Sequence, residues 1–228
     1  MIYEIYKKFL FHYGNQYWWP TTSENEIIPK YQGGPITEKQ ILEVIFGSIL
    51  TQNTSWKNVE KAIIELNKRD LINIDKIIKI EIKELAQIIK SSGYYNQKAI
   101  KLKEIALFLK KNPINELKKF KINELRNLLL SIKGVGKETA DSIILYAFNK
   151  PIFVIDAYTK RVFSRIGIID EKLNYDEIQE IFQKNLPKNE KIYNEYHALI
   201  VEHAKKYCKK KPLCEFCILN KICKKLIK

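Results

Sequence analysis

Apolar residues return at three- and four-residue steps along almost the whole of this 228-residue chain, as in Ile100, Ile105, Leu107 and Phe108. That spacing lines one face of an α-helix. No run alternates Val, Thr or Tyr with polar residues, as a half-buried strand would. Eight glycines and seven prolines leave few helix breakers, and Ile, Leu, Lys and Glu dominate. The pattern therefore predicts an all-α fold with short connections. Thr37, with Gln40 three residues on, reads as the capping box of a first long helix. Further helices are expected at 56–68, 74–80, 82–91, 97–111, 114–119, 122–132, 138–149, 157–166, 175–185 and 188–207. Hydrophobic residues make up 46% of the chain, enough to bury one large core or two small ones.

Charge narrows the partners. Forty Lys and Arg against 26 Asp and Glu leave a net charge of +14. Such an excess suits a polyanion, with nucleic acid the first candidate and an anionic membrane surface the second. Simple solubility is the plainer explanation of the same number. No stretch of about 18 apolar residues is present, so no membrane span is expected. The opening MIYEIYKKFL carries an early Glu and no small-residue cleavage site, which argues against a signal peptide and for the cytoplasm.

The string LLSIKGVGKETADSI (129–143) supplies a helix end, a tight turn and a helix start in one piece. Gly134 and Gly136 permit positive φ and close approach of another backbone. Val135 can plug between the two helices. The start of the second helix offers N–H groups and a positive dipole end to a phosphate, with Lys133, Lys137 and Thr139 beside it. A plain turn between packed helices would need only the two glycines. The full string favours a grip on the DNA backbone, which reads no base.

Asp156 follows PIFVI and precedes a predicted helix, where its ordinary role is an N-cap. A carboxylate that accepts backbone N–H bonds also stays ionised, so the cap leaves it available for chemistry. The four cysteines, Cys208, Cys214, Cys217 and Cys223, lie within the last 21 residues with gaps of five, two and five. A disulfide framework for a secreted fold would be more dispersed. Four clustered thiols can bind a [4Fe-4S] cluster or zinc, or pair as two disulfides. Tyr17-Trp18-Trp19-Pro20 is the densest aromatic group, either an anchor for the N-terminal arm or a stacking surface for bases. His12, His197 and His203 are scattered and receive no role.

The hairpin, the proline-containing loop after it and Asp156 resemble the helix-hairpin-helix GPD superfamily of DNA glycosylases, the endonuclease III fold, over roughly residues 35–228. The resemblance implies two helical domains with a DNA-binding cleft between them. One is a six-helix barrel at 35–148 ending in the hairpin. The other, 1–34 plus 149–228, carries Asp156 and the cysteine tail. In the bifunctional members a lysine two residues after the second glycine attacks the sugar; that position here is Glu138. Lys137 is one residue early, turned about 100° on a helix. The resemblance thus implies a monofunctional enzyme with weak or no AP-lyase activity. Asp156 would stabilise the oxocarbenium ion that forms as the N-glycosidic bond breaks, or activate water.

The relatives' cluster spacing is C-x6-C-x2-C-x5-C, one residue longer in its first gap than here. It implies a structural [4Fe-4S] cluster, with zinc the second reading, and lysines 209–211 meeting phosphates. Trp18-Trp19-Pro20, Leu50-Thr51-Gln52-Asn53-Thr54, 92–99 and Gly-x-Gly-Lys-Glu-x-Ala-Asp are similar to the 3-methyladenine DNA glycosylase III branch, which excises alkylated purines. Trp18 and Trp19 match its pocket aromatics, with Trp56 a third candidate. Gln52 and Tyr94 match the residues that fill the gap left by a flipped base.

The expected partner is double-stranded DNA containing damaged bases, handled by a monomer near the nucleoid. Two alternatives remain. One is a glycosylase for uracil or thymine opposite guanine, or for oxidised bases, with lyase activity. The other is a DNA-binding protein with no catalysis.

Overall fold

The computed structural model describes residues 1–227, whose regular structure is helical, with one isolated bridge, Thr21 to Lys30, and no sheet among the described residues. In chain order the helices are α1 (Ile2–Tyr13), α2 (Glu38–Leu50), α3 (Trp56–Lys68), α4 (Ile74–Lys79), α5 (Ile82–Ile88), α6 (Tyr95–Lys111), α7 (Ile114–Leu117), α8 (Ile122–Leu130), α9 (Lys137–Ser142), α10 (Ala157–Ile166), α11 (Tyr175–Lys184) and α12 (Glu190–Lys206). The predicted 138–149 helix is shorter than expected. After α9 the chain widens into a π-helical stretch, Ile143–Ala147. No described helix is long and apolar enough to cross a membrane.

The chain divides into two compact units, 17–150 and 1–16 with 151–228. In the first, α2 is the central element. Thr37 Oγ1 accepts from the Gln40 amide and Gln40 reaches back to the Thr37 N–H, completing the expected capping box. Every residue from Gln40 to Leu50 is buried, so this helix is covered on all sides. It touches α3, α6, α9 and the 143–147 stretch, and α6 in turn carries α4 and α5.

Residues 17–34 belong to this unit, whereas the sequence reading assigned them to the other half. The reason is the tryptophan loop. Trp19 lies across α2 where Gly47 has no side chain; a Cβ there would stand 3.1 Å from the indole. The Thr22 amide donates to buried Glu43 of α2 at 2.9 Å, and Asn67 of α3 donates to the same carboxylate at 3.1 Å. Burial pushes the Glu43 carboxyl up, against the pull of those two partners.

The second unit packs α12 against α1 and α10. Its core is ring-rich: Phe153 stacks on Phe182 at 4.5 Å, and Tyr196 meets Phe9 and Phe163 at about right angles. The Tyr196 hydroxyl is deeply buried and donates to the Ile2 carbonyl at 2.7 Å. The extended stretch 151–155 satisfies its backbone through glutamines of α11. Gln179 donates to the Phe153 carbonyl at 2.6 Å, and the Phe153 amide donates to Gln183 at 3.1 Å. This fixes the approach to Asp156.

Candidate functional site

In the 17–150 unit the hairpin joins α8 to α9. Gly134 has φ +89°, but Gly136 is extended at φ −97° and ψ 178°. Only the first glycine therefore uses the left-handed freedom expected of both. Gly136 instead caps α9 without a side chain, which keeps capping oxygens away from the helix start. Val135 is buried, as a plug between the helices should be. Lys133 and Lys137 are exposed, as is Glu138, while Thr139 is buried.

Two further contacts brace this turn. Arg126 of α8 donates from Nε to Asp141 Oδ1 at 2.7 Å and from Nη2 to Oδ2 at 3.1 Å. The Asp141 side chain is fully buried and the Arg126 side chain is 19% exposed, so the pair sits largely away from water. The second brace is Gln52. Its Nε2 donates to the Gly134 carbonyl at 3.1 Å and to Thr139 Oγ1 at 2.9 Å, while its Oε1 accepts from Lys101 at 2.5 Å. The Lys101 stem crosses Gly134 so closely that a Cβ there would stand 2.7 Å from it. Gln52, expected to fill the gap left by a flipped base, thus rests against the hairpin in this structure. Tyr94 does project: it is 67% exposed and left-handed at φ 45°, just before α6. Close by, buried Lys98 donates to the Leu50 and Ser92 carbonyls at 2.7 and 2.6 Å. Burial, then the neighbouring Lys101, lowers its pKa to about 8.

The three tryptophans do come together. Trp18 lies 5.0 Å from Trp56 and 5.5 Å from Trp19, and Trp19 lies 5.3 Å from Tyr146 of the π-helical stretch. Trp19 and Trp56 are buried. The accessible aromatic face is that of half-buried Trp18, with exposed Tyr31 5.6 Å away.

In the second unit Asp156 caps α10, as expected. Its Oδ1 accepts from the Thr159 amide at 2.7 Å, and its Oδ2 lies 3.7 Å from His197 Nε2 on α12. Both side chains are 12% exposed. Burial pushes the Asp156 carboxyl up, but His197 and the Thr159 amide outweigh it, so the carboxyl is held below its ordinary range. A depressed carboxyl stabilises the fold fully above its unfolded pKa near ~4 and loses that contribution as pH falls through the lower folded value. At neutral pH the group is an anion. His197, which carries no motif, is its partner; they lie far apart in the chain, and the packing of α10 on α12 joins them.

The four cysteines share one hollow, lined also by Val162, Arg165, His203 and Tyr207. None is in a disulfide, and each is partly buried. No three His, Cys, Asp or Glu side chains among the described residues are grouped to grip a single metal ion. The first cysteine's loop is pinned by arginines of α10. Arg161 donates to the Cys208 carbonyl at 2.8 Å, and Arg165 to the Lys209 and Lys210 carbonyls at 2.5 and 3.1 Å. Backbone amides of Leu219 and Lys225 point at Cys217 and Cys223 sulfurs at 3.4 and 3.3 Å. Burial and then the nearby sulfurs push the Cys217 thiol up, against the Leu219 amide.

Comparison with known proteins agrees with this geometry. Residues 46–188 match the HhH-GPD superfamily of base excision DNA repair proteins. A relative named "Putative DNA repair glycosylase MJ1434" from Methanocaldococcus jannaschii is 50% identical over 227 residues, covering 98% of this chain and 96% of its own. Endonuclease III of Sulfolobus acidocaldarius is 31% identical, covering 88% of each chain. Among solved structures, the H. pylori 3-methyladenine DNA glycosylase MagIII bound to 1,N6-ethenoadenine superposes with a TM-score of 0.70 at 29% identity, covering 90% of this chain and 97% of that one. The chain belongs to the HhH-GPD superfamily and is a base-excision-repair DNA glycosylase whose partner is DNA.

Proposed function

We propose that this chain is a monofunctional glycosylase that hydrolyses the N-glycosidic bond of alkylated purines, with Asp156 as the reacting carboxylate. The observation that carries the reading is Asp156 itself: a nearly buried anion held by the first turn of α10 and by His197. As the base leaves, positive charge grows on the sugar, and a fixed carboxylate in a dry setting stabilises that charge. An alkylated purine is cationic and leaves readily, so little acid assistance is needed. Its charge also suits an indole face, and Trp18 with Tyr31 presents one. The likeness to MagIII supports the same substrate class.

Glu138 stands at the position where lyases carry lysine, and exposed Lys137 lacks the dry surroundings that would make its amine a nucleophile. The hairpin would hold a DNA phosphate through the start of α9, with Lys133 and Lys137 adjacent. Tyr94 would fill the gap left by the flipped nucleotide.

Cys208, Cys214, Cys217 and Cys223 would hold a [4Fe-4S] cluster. The donor set fits: four unpaired thiols around one hollow, a space rather than a point, with amides aimed at two sulfurs. Bound there, the cluster would supply a rigid scaffold for the lysine-rich loop rather than chemistry on the base.

Two experiments test this function. Duplexes carrying 3-methyladenine, 7-methylguanine, uracil opposite guanine, thymine opposite guanine and 8-oxoguanine should lose only the methylated purines. Release of pyrimidines alone would overturn the substrate. Borohydride should trap no covalent adduct; strong trapping that vanishes with Lys137→Ala would overturn the monofunctional assignment. Gln52→Ala removes the brace between the 51–54 turn and the hairpin and should cost about 1 kcal/mol. That corresponds to roughly fivefold weaker duplex binding by fluorescence anisotropy. Unchanged affinity would mean the brace contributes nothing to the grip.

A further inference from the structure

We propose that Tyr13 and His203 form a hydrogen-bonded relay that orients and polarises one sulfur of the cysteine centre, Cys217. Both would be positioning residues for the metal group, and the inference rests on the [4Fe-4S] reading of the tail. His203 lies on α12 and is 1% exposed. Its Nδ1 is 2.8 Å from the Tyr13 hydroxyl, and its Nε2 is 3.6 Å from Cys217 Sγ. Phe9 stacks on the imidazole at 4.5 Å, and Tyr207 leans on it at 5.8 Å. The ring is therefore fixed between two polar atoms and two aromatic walls.

The protons follow from the ligand. A metal-bound thiolate can only accept, so Nε2 must carry a hydrogen. A neutral imidazole then leaves Nδ1 bare, and a buried bare nitrogen needs a donor. The Tyr13 hydroxyl is that donor. One assignment satisfies all three atoms: Tyr13 O–H to Nδ1, and Nε2–H to Cys217 Sγ. The hydrogen bond at one ring nitrogen sets the tautomer presented by the other. An N–H donated to a cluster sulfur draws electron density from it and favours the reduced state. Leu219 N–H serves the same sulfur from the backbone, and Arg165 approaches Cys208 Sγ at 3.5 Å. Tyr13 ends α1 and His203 sits near the end of α12, so the relay also ties the start of the chain to its tail within one unit.

The test uses the full chain as isolated with its iron, handled without oxygen. Tyr13→Phe keeps the ring and removes only the donor. His203→Phe keeps the stacking and removes the relay. Both should lower the cluster's midpoint potential in film voltammetry, His203→Phe by more. Bleaching of the visible cluster absorbance by ferricyanide should be about tenfold faster in His203→Phe and intermediate in Tyr13→Phe. Should His203→Phe fail to fold, Tyr13→Phe decides alone. A Tyr13→Phe protein with full iron and wild-type potential and bleaching would overturn the relay but leave the cluster in place. Wild-type protein isolated with zinc, or without metal, would overturn the cluster reading and the relay with it.

Discussion

Asp156→Asn should lower base excision by about 10²–10³-fold while leaving DNA affinity close to that of the wild type and costing the fold only the stability that the charge facing His197 supplies. The substitution separates two roles that share one side chain. Asn is as good an N-cap as Asp, and its Oδ1 can still accept from the Thr159 amide. What it loses is the negative charge facing His197 and, in the proposed mechanism, the sugar. A bare helix cap would therefore show almost no change, whereas a reacting carboxylate would lose nearly all turnover. Single-turnover excision on a methylated-purine duplex reads the chemistry, anisotropy reads the binding, and calorimetry reads the fold. Excision within threefold of wild type would leave Asp156 as a cap and nothing more. The pH profile adds an independent arm. Because the carboxyl is held below its ordinary range, activity should survive acidification to below ~4 before protonation removes the anion, provided the fold persists.

Much of the helical frame was legible because it rests on local spacing. The boundaries of α3 and α10 coincide with those expected from the apolar period, and the Thr37 capping box formed as its two residues dictate. Asp156 could be read as a cap because capping is a three-residue affair. Long-range partners could not be read. His197 and Asp156 meet only because α12 packs on α10, and His203 meets Cys217 through a helix end and a loop. Neither histidine has a neighbour in sequence that would announce its role. The tryptophan loop went to the wrong half for a similar reason. Its placement depends on Gly47 and Glu43, which as single residues in an apolar run give no sign of what will lie across them. Gly136 shows the limit of motif reading. Two glycines in one turn suggested two left-handed residues, but the second is needed as a side-chain-free cap rather than for its φ.

The hairpin's rigidity should depend on an ion pair with no sequence signature. Asp141 follows the glycines closely, yet its partner Arg126 stands fifteen residues earlier on α8. The pair spans the turn and leaves one carboxylate wholly buried. Asp141→Ala would remove the buried carboxylate from its guanidinium partner, and breaking a buried pair costs about 3–5 kcal/mol. For a chain of this length each kcal/mol moves the transition by roughly 2–4 °C, so the melting temperature should fall on the order of 10 °C. Duplex affinity should fall with it, because α8 and α9 would no longer hold the Gly134 turn in one geometry. Replacing both members by apolar residues, Arg126→Met with Asp141→Leu, removes the buried charge together with its partner. That double variant should recover most of the lost stability, since a well-packed apolar pair often matches a buried ion pair. It should not recover the grip if the fork geometry of Arg126 is what orients the turn. A melting temperature within 2 °C of wild type for Asp141→Ala would show that the hairpin is held by Val135 and Gln52 alone. Recovered stability with persistently weak DNA binding would instead place the value of the pair in geometry rather than in energy.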